Sequence, residues 1–228
     1  VNAGITSDYF GDPRPQNGGF DIGYDESPFA TPAANLCFAT PNDGGTVYSS
    51  ADAQAVRDAL AAALTGTVKI AGYCAGAVNQ LGTDQVAVIT QSLTLAGGYT
   101  TTDWTTYNPT ANPTTLDAQG GGRVISTTNV AVTLQGFTVT NGYISSSVDA
   151  DGGGIYAAGA LTLTDMSVYS NTITGTAITL RGGGVYANGI ALVANTRFDQ
   201  NHARYQGGGA LFNNTVSMTG TTFSSNTS

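Results

Sequence analysis

Apolar and polar residues alternate with a period of two along much of the second half of the chain. Leu161 and Leu163 alternate with threonines, and Val216 and Met218 repeat this pattern further along. In an extended strand this spacing places apolar side chains on one face and Thr or Ser on the other. The pattern therefore predicts short, half-buried strands of three to five residues joined by bends.

Three segments align with one another without gaps. Each begins with three glycines, has an apolar residue sixteen positions after the first glycine, and has an asparagine three positions after that. A fixed unit with connectors of variable length is typical of a solenoid in which each repeat makes one turn. The three segments are 152–171, 182–201 and 207–226.

Stacking of such turns predicts parallel strand pairing at a spacing of about 4.8 Å around an apolar interior. Residues 120–142 also begin with three glycines and are interpreted as a degenerate copy. From Gly66 onward we expect six or seven turns. The repeated asparagines are expected at a bend, where Asn tolerates left-handed dihedrals, and to stack as a hydrogen-bonded ladder of Asn171, Asn201 and Asn226.

A segment at about residues 50–65 has the period of a helix. Ser49 or Ser50 is the candidate N-cap, and Gly66 suits the C-terminal cap. We expect this helix to cover the N-terminal end of the stacked strands. Its apolar stripe comprises Val56, Leu60 and Leu64.

The predicted fold class is all-β, a right-handed parallel β-helix (solenoid) with one short N-terminal capping α-helix. Residues 36–228 form this β-helix in our interpretation. Residues 1–35 contain four prolines and one glycine pair, which indicates an extended N-terminal arm or linker.

Composition and charge exclude several classes of function. The formal net charge is −8, and seven Lys and Arg residues in 228 do not supply a basic patch for nucleic acid. Binding to an anionic membrane surface is disfavoured for the same reason. No apolar run approaches 18 residues, so we expect no membrane span.

Cys37 and Cys74 are the two cysteines of the chain. An even count in an acidic, Lys-poor sequence favours a disulfide in an oxidising, extracellular setting. The alternative is two buried free thiols, because both lie in apolar contexts. Two distant cysteines and one histidine do not predict a metal site.

Several polar residues are candidates for chemistry. Asp117 with Arg123 resembles an acid and base pair. Asp117 also begins the sequence Asp-Ala-Gln-Gly, however, and this composition is typical of a turn. Asp149 and Asp151 resemble part of a calcium loop that lacks the later ligands. His202 has no nucleophile signature beside it and is expected at the surface.

Aromatic residues cluster between two predicted strands. Trp104 with Tyr99 and Tyr107 would suit a sugar-stacking platform. A packed connector that covers one side of the strands is the favoured interpretation. No catalytic residue, cofactor or metal is therefore predicted.

The repeats resemble the polymorphic outer membrane protein repeat, which pairs a GGA-type glycine run with a later FxxN. Phe198–Asn201 and Phe223–Asn226 match FxxN, and 152–155, 182–185 and 207–210 match the glycine half. Residues 7–26 resemble the closing segment of large secreted β-helix domains. The resemblance implies a right-handed, pectin-lyase-like β-helix outside the cell or at its surface.

Two functions of different class follow. The first is a non-enzymatic extracellular structural protein, a cell-surface or filament-forming subunit that assembles head to tail with copies of itself and has adhesive potential toward surface glycans. The second is a polysaccharide-active lyase or hydrolase, or a carbohydrate-binding β-helix. The regular repeats and the scattered carboxylates favour the first.

Overall fold

The structure, a computed structural model, describes residues 36–41, 45–148 and 150–228. The predicted arm, residues 1–35, lies outside the described residues, as does Asp149. The described part consists mostly of short strands. One α-helix, α1 (Gln54–Ala62), lies among them.

From β3 onward the strands follow one another in chain order through short bends, except between β6 and β7, and the connection between β2 and β3 contains α1. They are β1 (Cys37–Pro41), β2 (Tyr48–Ser50), β3 (Thr67–Ala75), β4 (Val78–Gln80), β5 (Thr83–Ile89), β6 (Leu93–Ala96), β7 (Thr115–Asp117), β8 (Arg123–Thr127), β9 (Val132–Gln135), β10 (Thr138–Thr140), β11 (Tyr143–Ser146), β12 (Ala150–Asp151), β13 (Ile155–Ala157), β14 (Leu161–Thr164), β15 (Ser167–Tyr169), β16 (Thr172–Gly175), β17 (Leu180–Arg181), β18 (Val185–Ala187), β19 (Ala191–Ala194), β20 (Arg197–Asp199), β21 (His202–Ala203), β22 (Ala210–Phe212), β23 (Val216–Thr219) and β24 (Thr222–Ser224).

Parallel pairing connects equivalent strands of successive repeats. One run of parallel strands has the order β3-β6-β9-β14-β19-β23, a second has β3-β7-β10-β15-β20-β24, and a third has β5-β8-β13-β18-β22. Each repeat thus contributes one strand to each run. The parallel pairing that the gapless alignment predicts is confirmed, and the register pairs Leu163 with Val193 and Val193 with Met218.

The apolar positions of the alternating pattern meet in one core. Side chains from all three runs of strands belong to a single buried cluster. Their columns follow the register, so that each apolar side chain lies against its equivalent in the next repeat. In the first run the column comprises Val68, Leu95, Leu134, Leu163 and Val193, each at most 2% exposed.

The end of the structure that contains β1 is closed by antiparallel strands. β1 pairs antiparallel with both β2 and β3, and a disulfide between Cys37 and Cys74 joins β1 to β3. Cross-linking residues 37 positions apart restricts the unfolded chain, which in the chain-entropy model stabilises the fold by about 3–4 kcal/mol.

Helix α1 packs against β1, β2, β3 and β5 through Ala55, Val56, Ala59 and Leu60. The predicted stripe is wrong at Leu64, which is 80% exposed because the helix ends two residues earlier. No helix of the described residues is long and apolar enough to cross a membrane.

At the N-terminal end of α1 the expected Ser50 supplies an acceptor, although it lies outside the N-cap position, whereas the side chain at the C-terminal end was not expected. The residue in the N-cap position is Ala53, but Ser50 Oγ accepts the N–H of Ala55 at 2.9 Å. At the other end Gly66 is not the cap. The amide of Gln91 donates to the carbonyl oxygens of Leu60 and Ala63 instead, which satisfies two helix-end acceptors from a distant strand connection.

Replacing an inward leucine should cost far more than replacing an outward one in the neighbouring repeat. Leu163 is fully buried, whereas Leu192 is 52% exposed. We expect Leu163→Ala to lower the free energy of unfolding by about 2–5 kcal/mol because it leaves a cavity. Leu192→Ala, the matched control, should change it by less than about 0.5 kcal/mol. Urea unfolding followed by circular dichroism measures both, and equal losses would contradict this core.

Candidate functional site

The asparagines at equivalent positions of three repeats form a buried ladder. The backbone N–H and Nδ2 of Asn171 both donate to Oδ1 of Asn201 at 3.0 Å, and those of Asn201 donate to Oδ1 of Asn226 at 3.0 Å. Nδ2 of Asn201 also donates to the carbonyl oxygen of Val168 at 2.8 Å. Asn171 and Asn201 are fully buried, so these bonds satisfy amides that water does not reach.

The left-handed residue of this bend is the one before each asparagine, contrary to the expectation that Asn itself adopts that conformation. Ser170, Gln200 and Ser225 have φ between 52° and 56°. Asn141, with φ of 53°, occupies the same left-handed position in the degenerate copy. Gly142 therefore takes the ladder position there, and its N–H donates to Oδ1 of Asn171 at 2.9 Å.

The glycine triplets and the ladder form one packing unit. The first glycine, such as Gly152 with φ of 71°, adopts a left-handed conformation. A Cβ on the third glycine, Gly154, would lie 2.5 Å from the carbonyl oxygen of Gly184 and 2.8 Å from Cγ of Asn171. Only glycine lets the backbones of successive repeats and the asparagine amide approach this closely.

A second column, of arginine and tyrosine side chains, lies on the outside of the third run of strands. The rings of Tyr156 and Tyr186 stack 5.7 Å apart and parallel, and Arg123 and Arg181 lie over them at 5.4 and 5.0 Å. Arg181 makes two hydrogen bonds to the carboxylate of Asp151, at 2.8 and 2.9 Å. All of these contacts except that of Arg181 with Tyr186 join neighbouring repeats from outside the core.

Burial shifts the pKa values of two groups in this column. It lowers the pKa of the Arg123 guanidinium, whose Nε and Nη2 donate to the carbonyl oxygens of Gly152 and Asp151 at 2.8 Å. Burial, and then the negative charge of Asp151, raise the pKa of the Tyr186 hydroxyl above its usual value. Both effects follow from the cost of a charge away from water.

The candidate pair Asp117 and Arg123 does not form a catalytic arrangement. Asp117 is 5% exposed and accepts hydrogen bonds from the Tyr73 hydroxyl at 2.6 Å and from the Asn141 amide at 3.0 Å. The hydrogen bond to Asp117, with burial, raises the pKa of Tyr73. Arg123 instead donates to the backbone of Gly152 and Asp151, so each group serves the packing of its own bend.

The other polar residues that were candidates for chemistry do not come together in one site either. Asp149 lies outside the described residues, and Asp151 is paired with Arg181. His202 is partly exposed, and its Nδ1 lies 2.9 Å from the hydroxyl of Thr227. Within residues 36–41, 45–148 and 150–228, no group of three or more His, Cys, Asp or Glu side chains is placed to hold a metal ion.

The aromatic residues of the β6–β7 connection pack against the strands. Tyr99 is 7% exposed and belongs to a small apolar cluster that includes Trp104 and Tyr107. Lys69 lies over the Tyr99 ring at 5.1 Å and donates to the carbonyl oxygen of Trp104 at 2.7 Å. The geometry corresponds to the packed connector rather than to an open platform for sugars.

The outer layer, which comprises β22, β23 and β24, has no strand of the described residues on its far side. Phe223 stacks on Phe198 at 4.7 Å, yet Phe223 is 50% exposed whereas Phe198 is fully buried. Met218 is 41% exposed, and its equivalent Val193 is 2% exposed. Among the described residues, this layer therefore combines partly exposed core-type side chains with strand edges that no described strand pairs.

No protein-family model matches this chain, and neither a curated protein nor a solved structure matches it significantly. The likeness to polymorphic outer membrane protein repeats therefore rests on the glycine triplets and the FxxN segments alone.

The arginine–tyrosine column is the feature that sequence reasoning missed. A signal for it was present, because Tyr156 and Tyr186 follow the glycine triplets at the same distance in two repeats. The thirty-residue interval between Asp151 and Arg181 also equals the interval between those repeats. The pairing of side chains across repeats needs the register, which only parallel stacking defines.

Replacing a ladder amide with a carboxylate should destabilise the fold. In Asn201→Asp the Nδ2 donors to Val168 and Asn226 are lost, and a carboxylate faces their oxygens without water. We expect the free energy of unfolding to fall by about 1–3 kcal/mol. Asn188→Asp, at an exposed position, is the control and should be nearly neutral. Denaturant midpoints compare the two, and equal midpoints would contradict the ladder.

Tyr107 should make the fold sensitive to alkali. Burial, with the hydrogen bond from its hydroxyl to Asp165 at 3.0 Å, raises its pKa above the usual value of about 10. The folded state then holds this proton more tightly, so stability is full below pH 10 and falls as pH rises toward the folded pKa. Tyr107→Phe should show a shallower fall in melting temperature between about pH 9 and 11.5. The control variant is Tyr205→Phe, because Tyr205 is 54% exposed, and its melting temperature should fall with pH as steeply as that of the wild type. An equally steep fall in Tyr107→Phe would refute the prediction.

Proposed function

We propose that this chain is a non-enzymatic structural subunit, built as a right-handed parallel β-helix, that assembles head to tail with copies of itself outside the cell or at its surface. The register of strands supports the β-helix: equivalent residues of successive repeats pair without shift in three runs of parallel strands. A chain that advances by one strand layer per repeat is what such a fold requires.

The observation that carries the assembly is the outer layer. Its side chains are of the kind that every inner layer buries. Full burial of an exposed Phe or Met contributes about 1.5–3 kcal/mol, so covering Phe223 and Met218, which are 50% and 41% exposed, contributes about half of that each. Its strands also expose a row of backbone donors and acceptors, which is a template for pairing with another chain.

The two ends of the structure are unlike, which supports a head-to-tail arrangement. The end with α1 and the antiparallel strands β1 and β2 has a surface different from that of the outer layer. A contact between unlike surfaces can be repeated from copy to copy, and it builds a filament when the rotation between copies does not close a ring. The disulfide between Cys37 and Cys74 supports an oxidising, extracellular location.

The state of assembly tests this proposal. We expect the full 228-residue chain to form linear multimers whose mass grows with concentration in analytical ultracentrifugation, with filaments in electron micrographs. Phe223→Asp should abolish or strongly reduce association, because it places a charge on the outer layer. Ile178→Asp is the matched control: Ile178 is an apolar residue 80% exposed in the bend between β16 and β17. Monomers at every concentration, or equal effects of the two variants, would overturn the proposal.

A further inference from the structure

Two Asn-Gly pairs lie in bends of the described residues, at 141–142 and 188–189, and a third, at 17–18, lies outside them. The backbone nitrogen that follows an asparagine can attack the side-chain amide, and a glycine favours this attack because no Cβ stands in the way. The reaction is intramolecular, so its rate depends on how the fold holds the two reacting groups. The two described pairs differ strongly in this respect.

The first pair is held by hydrogen bonds at each of its reacting groups. The N–H of Gly142, whose nitrogen would attack, donates to Oδ1 of the buried Asn171 at 2.9 Å. Nδ2 of Asn141 donates to both carboxylate oxygens of Asp117 at 3.0 Å. Because Gly142 is itself buried, the attack would break these bonds where water does not replace them. The ladder therefore protects Asn141.

The second pair has its reacting groups accessible. Asn188 is exposed and Gly189 is partly exposed, and no described residue accepts the N–H of Gly189. Oδ1 of Asn188 accepts a hydrogen bond from Nδ2 of Asn213 at 3.3 Å. A donor at this oxygen stabilises the negative charge that develops there during the attack. At Asn141, by contrast, no described residue donates to Oδ1.

Packing between repeats keeps the glycine of the second pair in place. A Cβ on Gly189 would lie 2.5 Å from the backbone of Gly159, which is the equivalent residue of the preceding repeat. The residue before the glycine is less restricted, since the preceding repeat has Ala158 there. The pair thus combines a glycine that the fold requires with an asparagine that it does not.

We propose that Asn188 is a site of spontaneous deamidation. The nitrogen of Gly189 forms a bond to Cγ of Asn188 and loses its hydrogen, and Nδ2 leaves as ammonia, which produces a cyclic imide. Water then opens the ring at either carbonyl carbon. The products are aspartate and isoaspartate, so the net reaction is hydrolysis of the amide by water and adds one negative charge to the bend between β18 and β19.

Peptide mapping of the full-length chain tests this proposal. Tryptic cleavage at the arginines places the two asparagines in separate peptides, 124–181 and 182–197. After incubation of the folded chain at mildly alkaline pH, mass spectrometry with fragmentation locates each replacement of NH₂ by OH. We expect the change at Asn188 to be at least about tenfold faster than the change at Asn141. Its rate should rise with pH, because the attacking nitrogen has to lose its proton.

Two controls separate the effect of the fold from that of the sequence. Asn188→Ala should abolish the mass gain of peptide 182–197 and leave the denaturant midpoint unchanged, because Ala158 occupies the equivalent place in the preceding repeat. In a reduced chain unfolded in urea, the two asparagines should react at similar rates, because the protecting contacts of Asn141 are lost.

Three results would overturn the proposal. The first is a reaction at Asn141 that is as fast as that at Asn188 in the folded chain. The second is a mass gain of peptide 182–197 that persists in Asn188→Ala, since the reaction would then occur elsewhere. The third is a difference between the two asparagines that remains in urea, because the sequence and not the fold would then set the rates.

Discussion

A buried asparagine amide has two hydrogens to donate and an oxygen that accepts two bonds, and in this protein the neighbouring repeats satisfy most of them. Asn201 illustrates the constraint, because it receives bonds from Asn171 and gives bonds to Asn226 and to the backbone of Val168. A shift of one residue in register would leave these groups unpaired away from water. The ladder therefore fixes the register that the apolar columns then fill.

The glycine triplets matter because they let this contact occur. A side chain at Gly154 or Gly184 would collide with the backbone of the next repeat and with the asparagine amide. Close backbone approach, a satisfied amide and an aligned apolar column thus depend on one another. A single repeat has none of the three, so its stability comes from its neighbours.

Much of the candidate site was visible in the sequence, for reasons that can be named. The equivalence of Leu163, Val193 and Met218 follows from gapless alignment, because strands of equal length stack in register. The left-handed residue was misplaced by one position, since both Ser170 and Asn171 are residues of the turn-forming class and the sequence does not say which carries the positive φ. The predicted helix is too long at both ends. It begins at Gln54, four residues after the serine that accepts one of its N–H groups, and it ends at Ala62, where Gln91 from a distant connection takes up helix-end carbonyl oxygens.

The sequence alone determined the local period, the unit that repeats and the residue types at each bend, because these depend on backbone geometry within a few residues. It also indicated the disulfide through the number and setting of its cysteines. Tertiary structure decided which side chains meet across repeats: the column of Arg123, Tyr156, Arg181 and Tyr186, the pairing of Tyr73 with Asp117, and the exposure of Phe223 beside the buried Phe198. Apart from the contact of Arg181 with Tyr186 within one repeat, these contacts join residues some twenty-five to forty-five positions apart. Their energies exist only once strands of different repeats lie side by side.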